Sequence, residues 1–291
     1  MNEPTRAERS ILAVHRGRRE DIADLVTRQA IPNRGLSQLD PFLLLNHHGP
    51  QIYPPGNRGL PFGPHPHRGF ETVTFIVDGA VLHRDTGGHE STIRTGGVQW
   101  MTAGQGLEHA EVSPPDFLDS GGLLDILQLW VNLPARLKMV EPNYIGLQDD
   151  EIPSIELVGG VTVKLISGEW GGARGPVDSL TDVLMATVAI KTGSRLSLPV
   201  PSGRTALLYV VRGSVRAGGS TVDEFHLAEV ADDGDHLIVE ATRDALLIFG
   251  HASPLGEPVV AHGPFVMNTH EEIAEAIDDY RSGKFAGKTS I

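Results

Sequence analysis

The stretch HPHRGFETVTFIVDGAV, residues 65–81, combines a strand pattern with a pair of histidines. β-branched and aromatic residues recur along it up to an Asp-Gly pair at residues 78–79, which is typical of a strand that ends in a turn. His65 and His67 lie on either side of Pro66, and residues two apart on an extended chain point to the same face. The stretch therefore predicts a strand, a turn and a second strand, with two imidazoles projecting together at the start.

A second stretch, PVPSGRTALLYVVRGSV at residues 199–215, repeats this pattern. The aligned pairs are Gly69 with Gly203, Phe75 with Tyr209, and Gly79 with Gly213. Pro199 and Pro201 stand in the places of the two histidines, so the second copy keeps the strand pattern and lacks the imidazoles. The match predicts a duplicated β-barrel in which the histidines serve only the first copy.

The remaining chain has the same texture, because short apolar runs are separated by many of its 34 glycines and 20 prolines. These runs are GGVQWMTAG, LLDILQLWVNL, VTVKLISG, VLMATVAIK and DALLIFGH. Helical periodicity is confined to THEEIAEAIDDYRSGKF near the end, where Thr269 and Glu272 have the spacing of a capping box. We therefore predict an all-β fold of two antiparallel β-barrel domains with one C-terminal α-helix.

The composition excludes several classes of protein. The 291 residues include no cysteine, which excludes disulfides, zinc–thiolate sites and cysteine nucleophiles and leaves 13 histidines and the carboxylates as metal ligands. The formal charge of −13 argues against direct nucleic-acid binding, which needs clustered lysine and arginine. No apolar run approaches the length of about 18 residues that crosses a bilayer, and the N-terminus lacks the apolar segment of a secretory signal. We expect a soluble, cytoplasmic monomer without membrane contact.

A second pair of ligand-type residues follows in QWMTAGQGLEHAEVSP, where His109 and Glu111 repeat the spacing of two. Two strands that each present two such side chains would supply three imidazoles and one carboxylate. This set leaves neighbouring positions of an octahedral ion open for a substrate and dioxygen. Glu71 follows His67 by four residues and competes for the carboxylate position, either as an alternative ligand or as a partner behind the ligands. The matched spacing favours Glu111.

Several long motifs of the chain resemble the pirin family, a branch of the cupin superfamily. The motifs are HPHRGFETVTF, GGVQWMTAGQGLEHAE, LQLWVNLP, KMVEPNY, VTVKLISGE and HGPFVMNTHEEI. With these motifs, the match runs with gaps from LDPFLLL at residue 39 to the C-terminal helix, which is nearly the whole chain. The resemblance implies two cupin-type, jelly-roll β-barrels: a metal-binding barrel over residues 1–135, and a metal-free barrel over residues 136–291 whose C-terminal helix packs back.

The resemblance also implies the metal and its ligands. Pirins hold one iron ion through three histidines and one glutamate, which fall on His65, His67, His109 and Glu111 of this chain. The general cupin pattern, in which Glu71 would be the ligand, is met as well, and the pirin pattern favours Glu111. Fe²⁺ is therefore the expected ion, while manganese, nickel, cobalt, copper and zinc remain open because the same ligands suit them.

Some pirins resemble quercetinases, so the resemblance implies a metal-dependent dioxygenase that cleaves a flavonol by quercetin 2,3-dioxygenase chemistry and releases carbon monoxide. Its partners would be a flavonol-like aromatic substrate and dioxygen, with Glu111 as the general base that takes the proton of the 3-hydroxyl group. The alternative is a non-catalytic regulatory protein in which the metal or its redox state controls contacts with a protein partner. Such a protein would act as a transcription cofactor or as a modulator of metabolic enzymes.

One segment departs from the family pattern. Residues 39–53 read LDPFLLLNHHGPQIY, where familiar pirins read LDPFLLLDEF. Asn46, His47 and His48 replace acidic and aromatic residues, and we expect both histidines to lie in a loop or at the surface. If the segment borders the pocket, it bears on substrate preference. Three further side chains are expected to be structural: His83 in a turn or at the surface, and Trp100 and Trp130 in the core.

Overall fold

The computed structural model describes residues 7–287, and most of them lie in β-strands. The first twelve strands are β1 (Ile11–Arg16), β2 (Arg18–Arg19), β3 (Thr27–Ile31), β4 (Phe42–Tyr53), β5 (Phe62–His67), β6 (Phe70–Asp78), β7 (Ala80–Asp85), β8 (Glu90–Arg94), β9 (Val98–Thr102), β10 (Leu107–Val112), β11 (Gly122–Asn132) and β12 (Asn143–Leu147). The others are β13 (Ser154–Leu157), β14 (Val161–Ser167), β15 (Glu169–Trp170), β16 (Ala173–Arg174), β17 (Leu184–Ile190), β18 (Arg195–Pro199), β19 (Thr205–Ala217), β20 (Ser220–Asp223), β21 (His226–Val230), β22 (His236–Ala252), β23 (Val260–His262) and β24 (Phe265–Met267). The helices are α1 (Pro115–Ser120), α2 (His270–Arg281) and two 3-10 turns, Ala135–Leu137 and Asp149–Glu151.

Contacts between residues divide the chain into two compact units. The first comprises the described residues up to Arg18, Ala30–Pro41 and Ile152–Pro254, and the second comprises Arg19–Gln29, Phe42–Glu151 and the described residues from Leu255 onward. These units differ from the single boundary predicted after residue 135. Strand β1 joins the first unit because it pairs with β21, while helix α2 joins the second unit, which contains the histidine motif.

The first unit is built on a nine-stranded antiparallel sheet. Its main order is β1-β21-β19-β22-β17-β14-β13, with β18 beside β22 and β20 beside β19. Because β19 and β22 span 13 and 17 residues, different parts of each strand pair with different neighbours. Buried aliphatic and aromatic side chains such as Leu208, Leu247 and Phe249 form its core.

The second unit contains a four-stranded sheet, β5-β10-β7-β8, and most of a seven-stranded sheet, β12-β9-β6-β11-β4-β3-β2. Ile76 and Ile126 of the larger sheet pack in one apolar cluster with Val81 and Ile93 of the smaller sheet. The two sheets therefore pack face to face, as in a β-sandwich or jelly roll. The predicted all-β fold with two antiparallel sheet domains and a C-terminal helix is confirmed.

The strand–turn–strand prediction for residues 70–85 is correct in its elements but not in their pairing. Strand β6 pairs with β9 and β11, whereas β7 pairs with β8 and β10, so the two strands are not a hairpin. The chain passes from the larger to the smaller sheet at Gly79, which has φ +94°. Its counterpart Gly213 has φ +85° inside β19, so the two copies share this backbone geometry.

The predicted C-terminal helix is confirmed with its capping box. Thr269 Oγ1 accepts a hydrogen bond from the backbone N–H of Glu272 at 3.1 Å, and Glu272 Oε2 accepts one from the backbone N–H of Thr269 at 3.0 Å. Ile273 and Ala276 of this helix are buried. The six-residue helix α1 was not predicted, because it is too short for helical periodicity to be visible. Over residues 7–287, no helix has the length and apolar character needed to span a bilayer.

Gly69 should tolerate an added methyl group far less well than its counterpart Gly203. Both glycines have positive φ, at +91° and +78°, where a side chain is strained. A Cβ at Gly69 would also collide with the carbonyl oxygen of Val266, whereas a Cβ at Gly203 would meet nothing within 4 Å. We expect Gly203→Ala to lower the free energy of unfolding by about 1 kcal/mol and Gly69→Ala by about 3 kcal/mol or more, as measured by urea denaturation. Equal losses would contradict the steric explanation.

Candidate metal centre

Three imidazoles meet where β5 pairs with β10 in the second unit. The strands are antiparallel, and His109 lies opposite His65 while Leu107 lies opposite His67. A ring nitrogen of each of the three histidines lies within 4.8 Å of the others. The ring centroids are 4.4 to 4.9 Å apart. The two histidines predicted to project together do so, and His109 joins them from the neighbouring strand.

Hydrogen bonds to the backbone identify the protonated nitrogen of two of these rings. His65 Nδ1 lies 2.8 Å from the carbonyl oxygen of Gly63, and His67 Nδ1 lies 3.3 Å from that of Pro264. Because a carbonyl oxygen only accepts, each of these Nδ1 atoms carries a proton, and in a neutral ring the lone pair is then on Nε2. Among the described residues, nothing hydrogen-bonds to the buried Nε2 atoms of His67 and His109. A buried Nε2 without a partner and a carbonyl behind Nδ1, as in His67, fit the requirements of a ligand to a divalent metal ion.

Burial keeps the imidazoles of His67 and His109 neutral. It lowers the pKa of His67 to about 3, repulsion between protonated forms of His67 and His65 lowers it further, and the Pro264 carbonyl partly offsets both effects. Burial, followed by the repulsion that protonated His67, His65 and His83 would exert, holds the pKa of His109 well below its usual value. At neutral pH both rings can therefore offer a lone pair to a ligand.

Glu111 follows His109 by two residues on β10, and both of its carboxylate oxygens accept hydrogen bonds. Its Oε1 accepts a hydrogen bond from Thr74 Oγ1 at 2.7 Å, and its Oε2 accepts one from Gln128 Nε2 at 2.6 Å. A register shift between His109 and Glu111 on β10 changes the direction of the carboxylate relative to the third imidazole. The carboxylate is not part of the group whose ligand atoms lie within 4.8 Å of one another.

Glu71 points to the other side of the larger sheet. On β6, Thr74 contacts Glu111, and residues three apart on a regular strand face opposite ways. Glu71 instead lies opposite Thr102 of β9 and accepts a hydrogen bond from its hydroxyl at 2.7 Å. Burial raises the pKa of Glu71, and the hydrogen bond from Thr102 offsets part of this rise. The separation of four residues does not place Glu71 on the same face as His67, because Gly69, at φ +91°, interrupts the extended chain between β5 and β6.

Two buried cations hold the connection between β5 and β6. The Arg68 guanidinium forms an ion pair with Asp279 of α2 at 2.9 Å. Lys138 Nζ donates to the carbonyl oxygens of Gly69 at 2.8 Å and of Val266 at 3.0 Å. Burial lowers the pKa of Lys138 to about 8. These contacts hold the histidine strand against the C-terminal segment that supplies the Pro264 carbonyl.

Two family profiles match the chain. The profile described as Pirin matches residues 24–131, and the profile described as Pirin C-terminal cupin domain matches residues 185–286. The chain belongs to the pirin family. The resemblance inferred from its motifs is thereby confirmed.

Individual relatives extend over most of this pirin. Human pirin is 41% identical over 266 residues, which are 88% of this chain and 87% of the human protein. A protein of Pseudomonas aeruginosa, provisionally named a quercetin 2,3-dioxygenase, is 40% identical over 85% of this chain and 87% of its own. A crystal structure of quercetin 2,3-dioxygenase from Acinetobacter baumannii superimposes with a TM-score of 0.90 at 35% identity, over 97% of this chain and 100% of that chain.

The segment in which this pirin departs from the family pattern is a buried strand, so the expectation of loop or surface histidines was wrong. His47 and His48 lie on β4 and are 0% and 2% exposed. His47 Nε2 contacts Asp125 Oδ1 at 2.5 Å, and His48 Nδ1 contacts Thr27 Oγ1 at 2.8 Å. Asn46 is half-buried opposite Gln128, and therefore faces the same side of the sheet as the partner of Glu111.

His83 was also wrongly expected in a turn or at the surface. It is buried on β7, opposite Glu111 of β10, and its Nδ1 lies 3.5 Å from Nδ1 of His109. The signal in the sequence was Asp85, which follows His83 with the spacing of two seen in the other pairs. Thr74 and Gln128 gave no such signal, because only the pairing of distant strands brings them to Glu111.

The two tryptophans differ in their surroundings. Trp100 is buried, as expected of a core residue. Trp130 is only half-buried, and its ring lies 5.4 Å from that of His67 and 4.3 Å from that of Phe70. Trp130 therefore borders the imidazole cluster.

Replacing His48 by glutamine should weaken the destabilisation of the metal-free protein by acid. Burial, with the charge of His47, lowers the pKa of His48 to about 3 in the folded protein, whereas an unfolded chain has a histidine pKa of about 6.5. Between these values only the unfolded chain binds the proton, so stability falls as the pH falls through this window. From pH 7 to pH 5 the wild type should lose about 2 kcal/mol more than His48→Gln in urea denaturation.

The same substitution at the exposed His262 is the control for removing one imidazole. Identical losses in the wild type and in His48→Gln would show that His48 is protonated equally in the folded and unfolded chains.

Proposed function

We propose that this pirin is a metal-dependent dioxygenase that cleaves a flavonol-type substrate by quercetin 2,3-dioxygenase chemistry. In this reaction one carbon of the central ring leaves as carbon monoxide, and both atoms of dioxygen are retained in the ring-opened product. His65, His67, His109 and Glu111 would hold one divalent ion, with Fe²⁺ as the first candidate. Manganese, nickel, cobalt, copper and zinc fit the same ligand types.

The observation that carries this proposal is the pair of buried Nε2 atoms on His67 and His109 that have no hydrogen-bond partner among the described residues. A buried polar atom without a partner costs about 1–3 kcal/mol, so its retention calls for an explanation. A metal ion accounts for both atoms at once. When bound, such an ion supplies Lewis-acid polarisation of a substrate oxygen and electron transfer.

Glu111 would take the proton of the substrate hydroxyl group. A general base must reach that proton within hydrogen-bond distance, and Glu111 lies on the same strand as His109, two residues further on. Thr74 and Gln128 hold the two carboxylate oxygens at 2.7 and 2.6 Å, and Trp130 Nε1 donates to Gln128 Oε1 at 3.3 Å. This network orients the carboxylate before a substrate arrives, which reduces the rearrangement that proton transfer requires.

Half-buried residues on one face of β4 and β11 suit an aromatic substrate. Leu44 lies opposite Trp130, and Asn46 lies opposite Gln128. Together they present an apolar surface, an indole ring and two amides on the side of the sheet that carries the partners of Glu111. Flat aromatic ligands favour apolar and aromatic walls with a few polar groups. The relatives named as quercetin 2,3-dioxygenases support a flavonol as the substrate.

The iron-reconstituted protein should contain one iron per chain, and His67→Ala should lose most of it. Removing His67 deletes a ligand whose nitrogen has no other partner. The His262→Ala variant, at an exposed position, should retain the metal. Metal analysis after gel filtration measures both variants, and full occupancy in His67→Ala would rule out this ligand set.

Glu111→Gln and Glu71→Gln form a matched pair for the carboxylate. Glu111→Gln should lower kcat for quercetin about 10²–10⁴-fold, because a general base contributes that much. Glu71→Gln should stay within roughly threefold of the wild type, because Glu71 faces away from the cluster and glutamine preserves its shape. The measurement is oxygen uptake with quercetin, together with detection of carbon monoxide. The reverse order of the two variants would assign the role to Glu71.

The alternative function, a regulatory protein controlled by its metal, predicts that the iron-loaded protein consumes no oxygen with quercetin. Iron bound at one per chain with no oxygen uptake would reject the dioxygenase and favour that alternative. Metal-dependent uptake that His67→Ala abolishes would support the dioxygenase, leaving the natural substrate to be found among related phenols.

A further inference from the structure

His83 and Asp85 form a third pair with the spacing of two, beside the pairs that carry the three imidazoles and Glu111. Strand β7 pairs with β10 so that Asp85 lies opposite His109 and His83 lies opposite Glu111. His83 and Asp85 are 1% and 3% exposed. Two buried polar side chains of β7 therefore lie next to His109, although β7 contributes none of the three imidazoles of the cluster.

The hydrogen bonds of the pair can run in one direction, with His109 donating to His83 and His83 donating to Asp85. His83 Nε2 lies 3.0 Å from Asp85 Oδ2, and because a carboxylate only accepts, this nitrogen carries a proton. In the tautomer that carries its proton on Nε2, His83 has a lone pair on Nδ1, which lies 3.5 Å from His109 Nδ1. His109 Nδ1 can then donate, which leaves its buried Nε2 as the nitrogen with a free lone pair.

The three imidazoles of the cluster differ in the group behind Nδ1. His65 and His67 have backbone carbonyls in this position, from Gly63 and Pro264. His109 has His83, which is backed by a full negative charge on Asp85. Because the Asp85 carboxylate accepts a hydrogen bond from Nε2 of His83, the other nitrogen of His83 is a stronger acceptor than it would be in an imidazole without that partner.

The pair is held rigidly. The His83 ring stacks on Tyr144 with centroids 3.9 Å apart and planes 7° from parallel, and the Tyr144 hydroxyl lies 2.6 Å from Ser91 Oγ. Asp85 Oδ1 accepts from the backbone N–H of His89 at 3.0 Å. The stack fixes the plane of the His83 ring, and the hydrogen bond from Nε2 to Asp85 fixes its orientation within that plane, because a flip would place a carbon opposite the carboxylate.

We propose that Asp85 and His83 are positioning residues that fix the proton of His109 on Nδ1 and so present its Nε2 as the third ligand of the metal centre. This Asp85–His83 relay rests on the proposed metal site and does not depend on the substrate. It orients His109 as the carbonyls of Gly63 and Pro264 orient the other two rings. It also places a negative charge behind one ligand of the ion.

The test compares Zn²⁺ affinity in the full chain by competition with a chromophoric chelator. Asp85→Asn removes the charge, and His83→Phe keeps an aromatic ring against Tyr144 while removing both nitrogens. Each should weaken Zn²⁺ binding about 10–100-fold, the usual effect of losing a partner behind a metal ligand. His89→Ala removes the second imidazole that contacts Asp85 and should stay within roughly threefold of the wild type.

Ring-nitrogen NMR of the metal-free wild type provides a readout that a purely structural role would not move. The expected spectrum has the proton of His109 on Nδ1 and that of His83 on Nε2, and Asp85→Asn should redistribute the His83 proton between its two nitrogens. A wild-type His109 proton on Nε2 would overturn the proposal, as would unchanged Zn²⁺ affinity in both variants. If the wild type bound no Zn²⁺, the metal centre itself would be rejected, and the spectra would still decide the proton positions. The spectra also decide the question if His83→Phe does not fold.

Discussion

The antiparallel pairing of β5 with β10 is the contact on which the candidate site depends. It places His109 opposite His65 and brings three imidazoles into one cluster, in which His67 and His109 are buried. Removing water from these two rings disfavours their charged forms, and their Nε2 atoms are left without a hydrogen bond among the described residues. A folded chain that keeps such atoms carries a cost that a bound ion would offset. The geometry of the pairing and the electrostatics of burial therefore both favour a bound metal ion.

Distant parts of the chain support this pairing. The carbonyl that accepts the proton of His67 belongs to Pro264, 197 residues later in the sequence. Lys138 holds the backbone at Gly69 and Val266, and the Arg68–Asp279 ion pair connects the same region to helix α2. The chain after residue 254 thus takes part in the site as well as in the second unit. Its contacts orient the imidazole proton, which local strand geometry alone would leave free to occupy either nitrogen.

The two copies of the strand pattern separate the requirements of the fold from those of the site. Gly69 and Gly203 have positive φ in both copies, as do Gly79 and Gly213. The backbone geometry is therefore needed twice. The imidazoles occur once, and prolines take their places in the copy that forms the core of the first unit. Strand shape and the candidate metal ligands are thus independent features of the same repeat.

Local patterns in the sequence determined the strands, the helix with its capping box, and the pairs of ligand-type residues. These features depend on neighbours a few residues apart, so alternation and spacing are sufficient to predict them. Tertiary structure decided which way Glu71 faces, because Gly69 interrupts the alternation between β5 and β6. It also decided that His47 and His48 are buried, that His83 lies behind His109, and that β6 and β7 belong to different sheets. Burial and strand pairing depend on residues far apart in the chain, so a local sequence pattern does not predict them.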